Sequence, residues 1–342
     1  NIQIENTAEG SYTGIIVFSS ANIEKVEFKN VNINASKLGW VAPIAYTSLG
    51  TIEKVKMEDI KVTGTTHVAG GIAQTNNHNI ESLSGKQIEI VGTGDYIAGL
   101  VGIIAGGYIE EAEIEDGNIQ GRDHVGGIVG YGNILRGRTL NSEIEGKKYV
   151  GGISGQLYSL DEREKEQMLK VESSHIRSSD GYAGGIAGEV YNTPYIKAYV
   201  KDSEIEGTTL NATNVGGMAG YASFVFKESK IENSTIRSLG SNVGGLFGFH
   251  YSGNIYNGIS IRNEVEGKNR VGGLVGDLRQ SNIILCYTNN FVKATEQNAG
   301  GIVGYLENEG MSNTLNRSSI YRNYYAGNKI QAPKNVGGII GN

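Results

Sequence analysis

The sequence predicts an all-β protein, a parallel β-solenoid (β-helix) of about twelve coils with a roughly 28-residue repeat. Two observations lead to this fold class: a glycine-rich hexapeptide recurs along the 342 residues, and short segments of alternating polar and apolar residues keep phase with it. Short strands that cannot bury their apolar side alone form a continuous core when they stack as coils. We expect one solenoid over residues 1–342, cut from a longer polypeptide because it begins at Asn1 without Met or a signal peptide.

The composition is consistent with this fold and narrows the function. The chain has 51 Gly but only 3 Pro, which excludes collagen, and its 39% hydrophobic residues provide a core. A net charge of −6 without a basic cluster argues against a nucleic-acid partner. No stretch approaches the roughly 20 apolar residues of a membrane helix, so we expect no membrane insertion.

The repeating element is the hexapeptide Val125-Gly126-Gly127-Ile128-Val129-Gly130. With degenerate copies it occurs twelve times, and its first-glycine positions are 13, 42, 70, 98, 126, 151, 184, 216, 244, 272, 300 and 337. Val125 and Ile128 both favour the interior, although residues three apart on a strand face opposite sides. The glycine pair is therefore expected to make a corner or bulge through positive φ or close backbone approach. The motif isoleucines should then form one inward column that includes Ile128, Ile153, Ile186 and Ile302.

Two further tracks give each repeat about three short strands. Segments such as Ile23-Glu24 follow the motif, and segments such as Ser142 to Gly146 precede it, each with period-2 alternation. Spacings longer than 28 residues mark insertions. Ser159 to Lys170 has capping-box spacing and early acids, which predicts a short inserted helix of two to three turns. The last spacing predicts a protrusion from Asn308 to Tyr325.

The motif copies, for example Val-Gly-Gly-Leu-Val-Gly at 271–276, resemble the GLUG motif of bacterial cell-surface proteins. The resemblance covers nearly the whole chain. GLUG repeats occur in large secreted or wall-attached proteins, including the non-catalytic repeats of IgA1-protease-type zinc metallopeptidases of Gram-positive bacteria, and in adhesins. The resemblance implies an extracellular, secreted or cell-wall attached module. Its role would be a rigid spacer or a scaffold that binds a host protein or glycan beside neighbouring domains of the parent protein.

The residue pattern does not indicate an enzyme. The His-Glu-x-x-His signature of zinc peptidases is absent, and we expect no cofactor or metal. The five histidines, which are scattered and expected in exposed or loop positions, are His67, His78, His124, His175 and His250. Cys286 lies in an apolar segment and is expected in the core rather than as a nucleophile.

One local concentration of carboxylates leaves a second class of function open. It comprises Glu110, Glu111, Glu113, Glu115 and Asp116, for which a solvated strand face is favoured over a Ca²⁺ site. The alternative to a scaffold is a β-helical polysaccharide-cleaving enzyme. Such an enzyme needs clustered acids with basic residues on one face of adjacent coils.

Aromatic residues provide the candidate binding surfaces. Tyr131, Tyr221 and Tyr305 follow the motif directly and Phe249 takes the same position, so a stacked column is expected that covers the solenoid or binds a glycan or protein. Interface residue types also concentrate in the last insertion. The candidate partner-binding residues there are Arg317, Tyr321, Arg322, Tyr324 and Tyr325.

Overall fold

The computed structural model describes residues 2–7, 11–47, 50–76, 79–158, 166–191, 196–223, 225–307, 318–327 and 329–342. Within these ranges the chain is all-β without a helix and winds as a parallel β-solenoid of about 10 turns, which confirms the predicted fold class. Twelve coils is therefore slightly too many. No helix in the described part of the chain is long and apolar enough to span a membrane.

The described residues form 41 strands, all joined in one sheet that wraps around the core. The strands of the first half are β1 Ile2–Asn6, β2 Ser11–Thr13, β3 Ile23–Glu24, β4 Glu27–Ala35, β5 Gly39–Val41, β6 Ile44–Thr47, β7 Ile52–Glu53, β8 Val55–Gly64, β9 Val68–Ala69, β10 Ile72–Asn76, β11 Ile80–Gly92, β12 Asp95–Ala98, β13 Val101–Ala105, β14 Ile109–Gln120, β15 Asp123–Gly126, β16 Val129–Gly132, β17 Ile134–Leu140, β18 Glu143–Gly146, β19 Lys148–Gly151 and β20 Ser154–Tyr158.

The strands of the second half are β21 Gln167–Glu172, β22 His175–Ser178, β23 Tyr182–Gly184, β24 Ala187–Tyr191, β25 Ile196–Lys201, β26 Glu204–Gly207, β27 Asn214–Gly216, β28 Ala219–Ser223, β29 Phe226–Lys227, β30 Lys230–Glu232, β31 Thr235–Ser238, β32 Val243–Gly244, β33 Phe247–Tyr256, β34 Ile259–Gly272, β35 Val275–Ile284, β36 Tyr287–Gly300, β37 Val303–Glu307, β38 Ser319–Tyr321, β39 Tyr324–Tyr325, β40 Lys329–Gln331 and β41 Val336–Gly337.

Two ladders of parallel strands flank the glycine motif. Ladder A runs into the motif and consists of β2, β5, β9, β12, β15, β19, β23, β27, β32, the ends of β34 and β36, and β41. Ladder B runs out of it and consists of β6, β10, β13, β16, β20, β24, β28, the starts of β33 and β35, and β37. All twelve motif copies lie along ladder A. The first and last coils are incomplete, since Ile16 and Ile340 reach ladder B only through isolated bridges, so complete turns are fewer than motif copies.

The chain bends at each described glycine pair, as predicted, but the predicted positive φ is wrong. The described glycines with positive φ are Gly50, Gly106, Gly107, Gly132 and Gly181, none of them in a motif pair. Close backbone approach is the reason for glycine instead. A Cβ on Gly127 would lie 2.1 Å from the carbonyl oxygen of Gly152 in the next coil, and a Cβ on Gly126 would lie 2.0 Å from the carbonyl oxygen of Val129.

The corner puts both apolar motif positions in the interior, and Val125 and Ile128 are fully buried. The predicted inward column is confirmed. Its members, each at most 1% exposed, are Leu100, Ile128, Ile153, Ile186, Met218, Leu246, Leu274 and Ile302. Ile44 and Ile72 are also buried, but they are in register with Val101, one position later in the motif. One apolar core therefore follows the solenoid through the described coils.

A polar column runs inside the same solenoid. The backbone N–H of Ser142 donates to Ser174 Oγ over 3.1 Å, and the chain of bonds continues through Ser203 and Ser234 to Asn263, whose N–H donates to Asn290 Oδ1 over 3.1 Å. Each buried side chain thus accepts a hydrogen bond from the preceding coil. Such satisfied bonds hold adjacent coils in register and leave no buried donor unpaired along this column.

A second buried polar pair joins Gln167 and Asn133. Gln167 Nε2 donates to Asn133 Oδ1 over 2.5 Å, although Gln167 itself is aligned with the apolar series Ile196, Phe226 and Ile255 in the following coils. Only 1% of Gln167 is exposed.

The predicted helix from Ser159 to Lys170 is wrong where it is described. Gln167 to Lys170 belong to β21, which pairs with β17 and β25, and residues 159–165 lie outside the described residues. Alternate residues of β21 are buried, so the period-2 apolar pattern determines the local structure rather than the capping signal.

The predicted protrusion from Asn308 to Tyr325 is likewise corrected. β38 and β39 pair with β35 and β36 and continue the coil, while residues 308–317 lie outside the described residues.

Candidate functional site

Of the predicted partner-binding residues, four lie on the last coil and Arg317 lies outside the described residues. Tyr321 and Tyr324 are 53% and 63% exposed. The guanidinium of Arg322 lies 5.0 Å from the Tyr321 ring centroid, and Tyr324 stacks on Tyr287 with centroids 5.4 Å apart. Tyr325 differs, because it packs against the core and burial raises the pKa of its hydroxyl. The structure thus brings Tyr321 and Arg322 together and turns Tyr325 inward.

The residues that directly follow the motif form an outward-facing column on ladder B, which we term the ladder B column. Its members in register are Tyr46, Gln74, Ile103, Tyr131, Gln156, Glu189, Tyr221, Phe249, Asp277 and Tyr305. Tyr221 and Phe249 stack with centroids 5.4 Å apart. The expected aromatic column therefore forms only in part, because Gln156 and Glu189 separate Tyr131 from Tyr221 and Asp277 separates Phe249 from Tyr305.

A longer aromatic column, which the sequence reasoning missed, lies beside it at the start of the motif. This aromatic column consists of Tyr12, Trp40, His67, Tyr96, His124, Tyr149 and Tyr182. Its consecutive ring centroids are 4.6 to 5.4 Å apart. The signal in the sequence was an aromatic or His residue two positions before the first-glycine positions 42, 98, 126, 151 and 184. Tyr12 and His67 join the column through the pairing of the strands. Because the rings mostly stack on one another, the column presents ring edges to the outside, which favours a structural role over stacking on sugar faces.

The histidines are more buried than expected. His67 and His124 lie within the aromatic column, where burial lowers the pKa of both imidazoles. His250 is fully buried and its Nδ1 lies 2.9 Å from Ser281 Oγ. His67 lies at the bend between β8 and β9, a loop position as predicted. The predicted exposed or loop positions are wrong for His124, His175 and His250, which lie in strands and are not exposed. His78 lies outside the described residues.

One group of described residues has the donor set of a metal site. His175 Nε2 lies 3.3 Å from Glu204 Oε2 and 3.6 Å from Glu206 Oε2, and all three ligand atoms lie within 4.8 Å of one another. Arg237 already pairs with both carboxylates, at 2.5 and 3.2 Å. Arg177 lies 3.4 Å from His175 Nδ1, which accepts from it and leaves the ring proton on Nε2. We interpret the cluster as an ion-pair network between coils.

The acidic run is also paired with cations of adjacent coils. Glu110 pairs with Arg136 at 2.9 Å, Glu113 with Arg138 at 2.8 Å, and Lys86 with Glu115 at 3.0 Å. Glu113, Arg136 and Arg138 border a groove of about 400 Å³ whose floor includes Ala112, Leu169 and Ala198. The groove combines acids and bases on one face of adjacent coils.

Cys286 lies in the core, as predicted. Burial raises the pKa of its thiol to about 11, and its sulfur accepts a hydrogen bond from the Gly258 N–H over 3.2 Å. The thiolate form is suppressed at neutral pH, which is the opposite of an activated nucleophile.

Two acids of the ladder B column have contrasting surroundings. Asp277 is fully buried and pairs with Arg270 at 2.6 Å and with both Nε and Nη2 of Arg279 at 3.0 Å. Glu189 accepts a hydrogen bond from Gln156 Nε2 over 2.5 Å, and burial raises the pKa of its carboxyl. No cation among the described residues forms an ion pair with Glu189.

These features define a repeat protein of the β-solenoid class with an aromatic flank. Comparison with known proteins adds no relative, because no protein family, no curated protein and no solved structure matches the chain. The relation to GLUG repeats therefore stays a prediction from the motif.

Proposed function

We propose that this chain is a non-catalytic, rigid scaffold of a larger extracellular bacterial protein, secreted or attached to the cell wall. In this role it spaces neighbouring domains and presents side chains to a host protein or glycan. The resemblance of the motif to GLUG repeats supports this setting, which includes the repeat region of an IgA1-protease-type metallopeptidase or an adhesin.

The observation that carries the proposal is the continuity of ladder A, in which twelve motif strands pair in sequence from β2 to β41. The buried Ser and Asn column and the motif corners add coil-to-coil bonds along the same axis. A solenoid held by nearest-neighbour contacts keeps its outer side chains at fixed spacing, which suits a spacer or a binding scaffold.

Partner binding is expected to depend on the exposed Tyr and Arg residues of the last coil and on the two long spacings that interrupt the repeat. We expect the triple variant Tyr321→Ala/Arg322→Ala/Tyr324→Ala in the intact parent protein to weaken binding to host cells or glycans, since exposed Tyr and Arg dominate interface energies. Leu210→Ala is the matched control, because Leu210 is equally exposed elsewhere, at 63%. Replacing residues 159–165 or 308–317 with a short turn tests each long spacing without removing strands β21, β38 or β39. Unchanged partner binding in every variant would contradict the proposal.

The groove that contains Glu113 and Arg138 favours one alternative, a β-helical polysaccharide-cleaving enzyme. Acids and bases lie there on one face of adjacent coils, as such an enzyme requires. Every cation of the groove also has a carboxylate partner in the described residues, which leaves none dedicated to a substrate. Reproducible cleavage of a polysaccharide in a panel assayed with Ca²⁺, abolished by Glu113→Gln, would favour the enzyme.

A further inference from the structure

The solenoid carries an internal comparison between two acids at the same structural position. Glu189 and Asp277 both belong to the ladder B column, three coils apart in register. At Asp277, the residue seven positions earlier is Arg270 and the residue two positions later is Arg279. Both guanidiniums also contact rings of the same column, at 4.5 Å from the Tyr305 centroid and 5.2 Å from the Phe249 centroid. An acid at this position is thus neutralised by guanidinium groups that stack on adjacent aromatic rings.

At Glu189 the two equivalent positions hold Tyr182 and Tyr191 instead of arginine. Tyr182 stacks on Tyr221 with centroids 5.9 Å apart, a looser stack than the 4.8 Å between Tyr96 and His124. Tyr221 is the register partner of Glu189 in the next coil, and Tyr182 stacks on Tyr221, so both rings lie on the flank that carries the carboxylate. Desolvation raises the pKa of both tyrosine hydroxyls, and the charge of Glu189 raises it further. The site therefore combines an acid and aromatic rings but lacks the cation that completes it at Asp277.

The two acids, Asp277 and Glu189, also differ in side-chain length and burial. Asp277 is fully buried, whereas Glu189 is one methylene longer and only partly buried, and of its two carboxylate oxygens Oε2 accepts a hydrogen bond from Gln156. A guanidinium group is the cation that suits this arrangement, because it bonds a carboxylate with two parallel N–H groups and stacks on aromatic faces.

We propose that Glu189, with Tyr182 and Tyr221 beside it, is a subsite for the guanidinium group of an arginine on a partner protein. Arginine is enriched at protein interfaces, and a half-buried acid with aromatic neighbours gives it both charge pairing and ring contact. The inference rests on the scaffold role for the kind of partner, whereas the subsite itself depends only on the geometry around Glu189.

The test uses the whole chain with N-acetyl-arginine methylamide as probe and N-acetyl-citrulline methylamide as its neutral isostere. NMR of ¹³C-labelled tyrosine rings, assigned with Tyr182→Phe and Tyr221→Phe, reports on the subsite. We expect saturable shifts of both rings with the arginine probe and none with the citrulline probe. Glu189→Gln should weaken the arginine affinity by about tenfold or more, while Glu111→Gln, which removes an exposed acid on another face, should leave it unchanged.

Tyr182→Arg provides a second variant, because it supplies a guanidinium at the position that Arg270 holds beside Asp277. It should block the probe in a chain that melts at or above the parental temperature. Equal binding of the arginine and citrulline probes would overturn the subsite, and so would an unchanged arginine affinity in a Glu189→Gln chain that is folded. Arg163 lies outside the described residues. If Arg163→Gln raises the affinity for the arginine probe, the chain's own arginine competes for the subsite, and the proposed partner is overturned. The rigidity of the rod is measured separately from distances between spin labels. This measurement tests the scaffold role independently of the arginine subsite.

Discussion

Residues that directly precede the glycine motif adopt a backbone conformation that residues other than glycine rarely adopt. Positive φ values near 50–60° occur at His67, Tyr96, His124 and Tyr149, all in the aromatic column. Each such conformation costs on the order of 1 kcal/mol for a residue other than Gly or Asn. Contact between neighbouring rings, worth about 0.5–1.5 kcal/mol per pair, offsets that cost. This explains why aromatic residues occupy the position before the motif in consecutive coils.

The motif column provides the first prediction at this scale. Ile128→Asp should lower the free energy of unfolding by about 4 kcal/mol or more, because it buries a charge without a partner. Ile128→Val, the control, should cost only about 1 kcal/mol. Thermal and denaturant unfolding measure both values, and equal melting of Ile128→Asp and the parental chain would contradict the burial.

Glu189 provides a second prediction, which concerns pH. Burial raises the pKa of its carboxyl in the folded state, so ionisation at neutral pH opposes folding. The facing groups are Gln156 and the hydroxyls of Tyr149, Tyr182, Tyr191 and Tyr221, none of them a cation. Glu189→Gln should therefore melt slightly above the parental chain at pH 7, and the difference should vanish below about pH 4, where the acid is protonated in both states.

Glu111→Gln is the control for this pH series, since it removes the same charge from an exposed position. A lower melting temperature of Glu189→Gln at pH 7 would mean that the ionised carboxylate stabilises the fold.

At the level of strands and corners, much of the fold could be predicted from the sequence. The 28-residue period predicts the ladders because each apolar position recurs in phase, and Ile128 and Ile153 occupy the same interior column as expected. The inserted helix failed because the Ser159 capping signal is local, whereas the alternation of Gln167, Leu169 and Val171 is stabilised by strands on both sides.

The candidate sites were less predictable, and the reason is also physical. Nothing in the sequence around Glu189 marks it as a site. Whether the acid at this position has a cationic partner depends on whether arginine or tyrosine occupies the equivalent positions of the coil. Partners three coils away lie close to 90 residues away in sequence, as Asp277 does. Only the register of ladder B makes the comparison visible.

The glycine pair gives a prediction for a whole corner. Gly127→Val and Gly273→Val should each cost about 3 kcal/mol or more, because the new Cβ would lie 2.1 Å from a carbonyl oxygen of the next coil. Gly121→Val should cost less, since its Cβ would meet side-chain atoms of Ile97 at 2.7 Å rather than paired backbone. Unfolding free energies of the three variants test the order, and equal values would contradict this account of the corner.

At the scale of the molecule, a repeat rod should tolerate the loss of one complete coil. Deletion of residues 244–271, which is 28 residues, joins equivalent positions of ladder A. The shortened chain should fold and bring spin labels at Lys61→Cys and Lys293→Cys closer by about 4.8 Å, one coil spacing. Cys286 is buried and free, so it should escape labelling.

Deletion of 14 residues, 244–257, is the matched control for the coil deletion. It leaves half a coil, so the strands that follow would lie opposite non-equivalent strands of the preceding coil, and the downstream coils should not fold. Equal behaviour of the two deletions would show that the coil is not the unit of this structure.

The buried bond between Gln167 and Asn133 has a consequence for how the chain finds its fold. Neighbouring repeats are so similar that a coil shifted by one whole repeat would still place its motif glycines and isoleucines correctly. Such a misthreaded chain would separate Gln167 from Asn133 and strand an amide among apolar side chains, at a cost of about 1–3 kcal/mol. This polar pair in a series of similar repeats thus favours the correct register of the coils near the middle of the chain over the shifted ones.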